Sequence, residues 1–381
     1  MKTKVWKIIA LLAIAVFAIS TAKLVSGTST LSPTSTVSSV SGAMAYDSGT
    51  GAIYVLGLDG SMKVLSDTTN TVITTIDTGI TYGAAQQLVY GQGKIFASSG
   101  VATAEGETPA VTVISDSTNT VAATITNSHW WVPMGMAYDS GTGNLYLADR
   151  GNLGNVLGAV YVIDDTNTVT GSIQVGAYPE ELVYDSGMHE IFVANAGSGN
   201  VSVISDSNNQ VVATIAVGTY PYGIAYDSKM NEVFVYNEGG DNTVSVISDS
   251  SNTVVKTITG ITGNNVNPTN IAYNPNKNEI FAGYSVISDS TNTVVAQLPT
   301  TVTDMIYDSG RGEILGASSI GMAVFADSSS TSTSPTSNAS SPTPIVPEFS
   351  NVTLISVAAA MAVVTLGAVA LTKRTRKQLL K

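Results

Sequence analysis

The chain has 381 residues, 44% of them apolar, with no Cys, two His and a formal net charge of −12. Absence of Cys excludes disulfides, thiolate zinc sites and cysteine nucleophiles, while His129 and His189 alone leave little for a His-rich metal centre or an ordinary His-based triad. Nine of the 16 basic residues lie at the two ends and all 28 acids lie between them, so the body carries −21, repels phosphate backbones and makes nucleic acid an unexpected partner.

In chain order, Lys2, Lys4 and Lys7 precede the twelve-residue apolar run Ile8 to Ile19, and small residues follow. A basic segment followed by an apolar run too short to span a bilayer comfortably predicts a signal peptide over residues 1–27, cleaved after Ala22 or Gly27. An uncleaved signal anchor is the alternative reading.

Residues 33–327 are built from one unit repeated seven times. Its first mark is an apolar strand ending in Asp, with Asn three residues on: Asp67/Asn70, Asp116/Asn119, Asp164/Asn167, Asp206/Asn209, Asp249/Asn252 and Asp289/Asn292. A seventh Asp, Asp327, lacks its Asn. The second mark is an apolar pair followed by Tyr, at Tyr46, Tyr90, Tyr138, Tyr184, Tyr226, Tyr273 and Tyr307. Each unit reads as four short strands. In one copy these are Ile224 to Tyr226, Glu232 to Tyr236, Val244 to Ser248 and Thr253 to Ile258. Runs of β-branched and apolar residues alternate with Asp, Ser, Asn and Gly clusters, the pattern of hairpins. Asp can open each turn by accepting from the amides ahead of it, and Asn tolerates a left-handed backbone. No 3.6-residue period is sustained in the body, so no helix is expected there.

Seven four-stranded units of about 40–45 residues predict an all-β fold, a seven-bladed β-propeller. A solenoid is the structural rival, but the last copy has only three strands and Ser35 to Val40 precedes the first. That N-terminal segment can supply the missing strand, close the ring and protect its edges.

Residues 328–350 are rich in Ser, Thr and Pro and read as an extended stalk. Val352 to Leu371 is an uncharged apolar run of twenty residues, long enough to cross a hydrocarbon core of about 30 Å, within a predicted transmembrane helix at 351–372. The basic tail 373–381 belongs in the cytoplasm and the acidic body outside, so the membrane is an expected partner. Asn200, Asn338 and Asn351 begin N-glycosylation sequons. Pro347-Glu348-Phe349, an apolar helix and a basic tail resemble the PEF-type sorting signal of archaeal surface proteins. That resemblance implies exchange of the helix for a lipid anchor; a retained transmembrane anchor is the alternative.

The repeats resemble the YVTN-type β-propeller repeats of bacterial and archaeal surface proteins. The best copy runs from Ile191-Phe192-Val193-Ala194-Asn195 through Asn200 to Asn209, then Gln210-Val211-Val212-Ala213-Thr214-Ile215 and Val217-Gly218-Thr219-Tyr220-Pro221-Tyr222-Gly223. The resemblance covers Pro33 to Asp327. It implies the propeller fold and a place at the cell surface, but no single function, because such propellers serve many roles. Two copies depart locally: Trp131-Val132-Pro133 lacks the Val-Gly before it, and Tyr82-Gly83 lacks the Pro.

The repeated Asp residues invite a calcium reading, yet no turn has the Asp-x-Asp-x-Asp-Gly loop with a distal Glu, so turn formation is the expected role and no metal or cofactor is predicted. The connectors between blades share a propeller face with the loops between second and third strands. They carry Tyr82, Trp130, Trp131, Tyr178, Tyr220 and Tyr222, with Arg150 and Glu180 nearby. Large flat rings with polar tips suit contacts to a glycan or a peptide; filling gaps between blades is the competing role. No catalytic residue is predicted, since no nucleophile motif or phosphate loop is present. The expected function is a non-catalytic binding, adhesion or envelope-associated module at the cell surface. A propeller enzyme of lactonase or lyase type and an architectural surface-layer subunit are the alternatives.

Overall fold

A computed structural model describes residues 29–80, 87–103, 106–151, 158–240, 242–263, 271–299, 302–318 and 320–325. The predicted segments 1–27, 328–350, 351–372 and 373–381 fall outside these residues, as do Tyr82, Asn338 and Asn351. Seven separate sheets follow one another along the chain, five of them antiparallel meanders in sequence order and two with a strand added from the N-terminal segment. Blade 1 is Ala43–Asp47, Ala52–Leu56, Ser61–Ser66 and Val72–Asp77; blade 4 is Pro179–Asp185, Glu190–Asn195, Asn200–Ser205 and Gln210–Ala216; blade 5 is Pro221–Asp227, Glu232–Asn237, Thr243–Ser248 and Thr253–Ile258. The fold is a seven-bladed β-propeller, as the repeat count predicts.

Second strands such as Ala52–Leu56 and Leu145–Asp149 are buried along their whole length. Each packs both faces against neighbouring blades, so apolar residues run on without alternation. Seven apolar clusters result, one at every blade junction. The cluster between blades 4 and 5, for example, joins Phe192, Val201 and Val203 to Val233, Val235 and Ile247. The cluster that joins Leu315, Met322 and Val324 of blade 7 to Met44, Ile53 and Val55 of blade 1 makes the array a ring. Fully burying one such side chain is worth about 1.5–3 kcal/mol, so every junction is a substantial part of the core.

Blade 7 contributes three strands of its own, Asp304–Asp308, Glu313–Ser318 and Gly321–Phe325. Its fourth is Ser35–Ser38 from the N-terminus, which pairs antiparallel with Gly321–Phe325. Strand closure therefore occurs where the sequence predicts it. One addition was not predicted: Ser29–Thr30 pairs parallel with Thr293–Gln297, the outer strand of blade 6. The N-terminal segment thus bridges the rims of blades 6 and 7.

The repeated Asn residues take the left-handed backbone expected of them, with φ of 50–64° at Asn70, Asn119, Asn167, Asn209, Asn252 and Asn292. Three residues further on, six outer strands carry the extra residue of a bulge. Ile73, Val212 and Val255 are the extra residues in blades 1, 4 and 5, lying between register partners that would otherwise be consecutive. The bulge turns them outward, which explains why these β-branched residues are exposed on the rim.

Candidate functional site

Hairpin turns occupy one face of the ring. There the first-turn Asp of five blades accepts from the backbone two and three residues ahead: Asp47 from Gly49 and Thr50, Asp139 from Gly141 and Thr142, Asp185 from Gly187 and Met188. Asp227 and Asp308 repeat the arrangement with Lys229 and Met230, and with Gly310 and Arg311. Turn formation accounts for these acids. Blade 2 dispenses with the Asp; Gly91 leaves room for the Tyr138 ring, whose atoms would lie 2.3 Å from any Cβ there.

The same Asp residues also meet the repeated Tyr of the next blade. Tyr46 lies between Asp67 of its own blade and Asp308 of blade 7, donating to Asp67 at 3.1 Å. Tyr184 sits likewise between Asp206 and Asp139, Tyr226 between Asp249 and Asp185, Tyr273 between Asp289 and Asp227, and Tyr90 between Asp116 and Asp47. Five blade junctions thus carry a phenol between two carboxyl groups. Burial raises all five phenols, and the carboxylates add to the effect. The repeated Tyr reads from sequence as an element of strand pattern, and its role across the junction emerges only with the ring. Among the described residues, no group of three or more His, Asp or Glu is placed to hold a metal ion.

The connector face is organised differently. Three connectors are pinned to the loop between second and third strands: Tyr178 accepts from Ala196, Tyr220 from Glu238 and Val132 from Arg150, all through backbone atoms. Tyr178 and Tyr220 have φ of 50° and 53°, a left-handed conformation unusual for a bulky side chain. Just beyond them, the inner strands of blades 3, 4 and 5 are irregular, with register shifts at Pro133/Met136, Pro179/Leu182 and Pro221/Ile224. The irregular stretch of blade 4 holds Glu180 and Glu181. Such bulges re-aim side chains, and here two consecutive carboxyls end up buried.

Arg150 reaches from blade 3 to Glu180 of blade 4, its Nε and Nη2 both donating to Oε2 at 3.0 and 2.6 Å. Glu180 is fully buried, and its Oε1 has no hydrogen-bond partner. Burial pushes its carboxyl up to about 7, even though Arg150 pulls the other way; Glu238 adds to the rise. Burial likewise holds the Glu181 carboxyl well above the usual range, and the Asp304 charge from blade 7 reinforces it. Glu181 Oε2 accepts from the Ile224 amide of blade 5 at 3.2 Å, and Asp304 Oδ2 accepts from the Met44 amide of blade 1 at 2.7 Å. Gln87 does the same for the Met136 amide of blade 3. Residues receiving these side chains are small: Gly135, Gly223 and Ala43 precede the bonded amides.

Tyr220 and Tyr222 lie in the same electrostatic neighbourhood as Arg150, Glu180 and Glu238, and Tyr178 adjoins Tyr220. The structure therefore brings together five of the residues singled out in the sequence: Arg150, Tyr178, Glu180, Tyr220 and Tyr222. Tyr220 is 40% exposed, whereas Tyr222 is buried behind it. Trp131 is 57% exposed on the neighbouring connector, which Asp149 braces by accepting from the Trp131 and Val132 amides at 2.9 Å. Asp149 is thus a loop brace, not the acid partner of Arg150. Trp130 needs a correction. It is only 4% exposed, packed edge-on to Tyr161 at 5.9 Å in the core between blades 2 and 3, and leaves the ligand-facing set. Asn200 is half-buried at the start of a strand, and its Oδ1 accepts from Asn195.

Glu181 and Asp304 are acids whose role sequence reasoning missed. Their signal was the position itself, three residues before the repeated Tyr, where the other copies carry Ala43, Gln87, Gly135, Gly223 and Asn270. The chain matches no protein-family model, and no curated protein resembles it closely enough to count as a relative.

Proposed function

We propose that this protein is a non-catalytic binding module of YVTN-propeller type, displayed on the cell surface by a C-terminal membrane anchor or sorting signal, which engages an envelope glycan or protein. The observation that carries this reading is the cluster of Arg150, Tyr178, Glu180, Tyr220, Tyr222 and Glu238 on one sector of the connector face. Aromatic rings held on pinned loops, next to a buried charge pair, offer contact area at little entropic cost. The acids of the opposite face are largely taken up by turns and blade junctions. Glycosylation at Asn200, Asn338 and Asn351 suits an exterior location.

One observation favours a second reading. Glu180, Glu181 and Glu238 converge on this mouth, and burial raises the carboxyls of Glu180 and Glu181, as an acid of a propeller lactonase or lyase would require. Neither His joins them: His129 is bonded to Asn127 on an exposed connector, and His189 lies on the turn face beside Asp206.

The test is binding of the full-length protein to a glycan panel and to washed cell envelopes, beside Tyr220→Ala and Arg150→Ala variants. Binding that drops about tenfold or more in both variants, as loss of an interface anchor implies, supports the recognition reading. Undiminished envelope binding would place the function on another surface and favour an architectural role. Turnover of lactones or esters, lost in Glu180→Gln, would establish the enzyme instead.

A further inference from the structure

Three of the five phenol–carboxyl junctions have a feature the other two lack. At the junctions of blades 1/2, 4/5 and 5/6 the two carboxyl groups lie within hydrogen-bonding reach of each other: Asp47 with Asp116, Asp185 with Asp249, and Asp227 with Asp289. Two ionised carboxylates cannot satisfy one another, and burial at ordinary internal dielectric makes their repulsion costly. At the blade 5/6 junction Asp227 Oδ2, Asp289 Oδ1 and the Tyr273 hydroxyl are all buried, and none has a well-formed hydrogen bond. Asp227 is fully buried and Asp289 nearly so. At the 4/5 junction Asp185 Oδ2 is orphaned in the same way. One proton placed between the carboxyls converts the clash into a short charge-assisted hydrogen bond.

We propose that these three junctions each close over one shared proton, so that the ring is clasped in mild acid and loosens as the proton leaves on the way to neutrality. The groups around each junction favour this outcome. At 5/6, Asp289 faces Asp227, Tyr273, Glu232 and Glu279, with Asn292 close to Glu232 and Lys277 beside Glu279. The cation near Asp289 is Lys229, whose ammonium is bonded instead to Pro275 O and to Asn278 Oδ1 at 2.9 Å. At 4/5, Asp249 faces Asp185, Tyr226 and Glu190, with Asn252 beside Glu190 and Asp206 and Asp227 further off. At 1/2, Asp116 faces Asp47, Tyr90 and Tyr54. In the two remaining junctions the phenol makes a formed hydrogen bond to one carboxyl, Tyr184 to Asp206 at 3.3 Å in 3/4 and Tyr46 to Asp67 at 3.1 Å in 7/1, and His189 also touches Asp206 at 3.3 Å. They need no shared proton.

Burial, then the neighbouring Asp charge, raises Asp116, Asp249 and Asp289, the last to about 6. A carboxyl raised in the folded state stabilises it most fully below the ordinary value of about 4, and that stability is lost as pH rises through the folded value. The window at the 5/6 junction therefore runs from about 4 to about 6 and above.

The experiment is thermal unfolding of the full-length protein from pH 4 to pH 8, with calcium or with a chelator, beside Asp289→Asn and the triple Asp116→Asn/Asp249→Asn/Asp289→Asn variant. An amide imitates the protonated acid and cannot ionise. The wild-type midpoint should fall by roughly 5 °C or more across this range. Asp289→Asn should leave the midpoint unchanged at pH 4 and raise it at pH 8, and the triple variant should flatten the profile further. Parallel profiles for wild type and variants would overturn the proposal. So would a wild-type midpoint at pH 8 that calcium raises and the chelator lowers, which would make the junctions cation sites.

Discussion

At the scale of single residues, the ring depends on positions where a side chain is small or an unusual backbone is tolerated. Gly135 is one: an added Cβ would stand 2.4 Å from Glu180 O and 2.7 Å from Glu181 Cα. The obstruction is backbone of the next blade, which cannot swing aside as a flexible side chain would. Gly135→Ala should therefore cost about 1–3 kcal/mol of stability and weaken ligand binding as well, since it presses on the stretch that carries both glutamates. Chemical denaturation with a binding assay checks both effects; an unchanged denaturation midpoint would show that blade 4 can yield. Arg150 illustrates a different residue-scale choice. Its neighbour in sequence is Asp149, yet it pairs across a blade junction with Glu180, because Asp149 is already saturated by the Trp131, Val132 and Gly151 amides.

At the scale of elements, strands are assigned their places by what each face touches. Inner and second strands are covered by neighbouring blades and read as continuous apolar runs. Outer strands face the rim, where the bulge after the hairpin turns Ile73, Val212 and Val255 outward in blades 1, 4 and 5. The N-terminal strand is the element on which closure rests. Deleting residues 29–38 removes the outer strand of blade 7, with Val37 from the 7/1 cluster, and the added strand on blade 6. The thermal midpoint should then fall by roughly 5 °C or more, whereas deleting 29–30 alone should cost far less, because Ser29–Thr30 makes just two residue pairs at the edge of blade 6. Equal midpoints for the two deletions would mean that Ser35–Ser38 contributes little to the ring.

At the scale of the molecule, the closed ring distinguishes this chain from an open array of similar units. In an open array each unit contacts only its neighbours, and the ends can fray independently. Here blade 7 packs on blade 1 through Met322, Val324 and Met44, so no blade has a free face at which unfolding starts cheaply. Calorimetric unfolding should show one cooperative transition for the blades, with calorimetric and van't Hoff enthalpies in agreement. Two resolved transitions would indicate that the junctions are weaker than the blades themselves.

The blade count, the strand order and the missing fourth strand of blade 7 were legible in the sequence because hairpin propensity and turn chemistry are local. Asp and Asn at fixed spacing mark turns whatever surrounds them, and all six Asn of the pattern adopt the backbone that spacing implies. The sector of aromatic and charged residues was partly legible, since the connectors carry it as contiguous Tyr-Pro-Tyr and Pro-Glu-Glu segments. Other features depended on contacts between residues far apart in sequence. Whether Trp130 or Trp131 faces solvent is decided by the room beside Tyr161, and the pairing of Arg150 with Glu180 by the distance between two blades. The meeting of Asp227 with Asp289 arises only when blades 5 and 6 pack together, and that of Glu181 with Asp304 only when the ring closes, for burial and proximity are properties of the assembled blades and not of any one repeat.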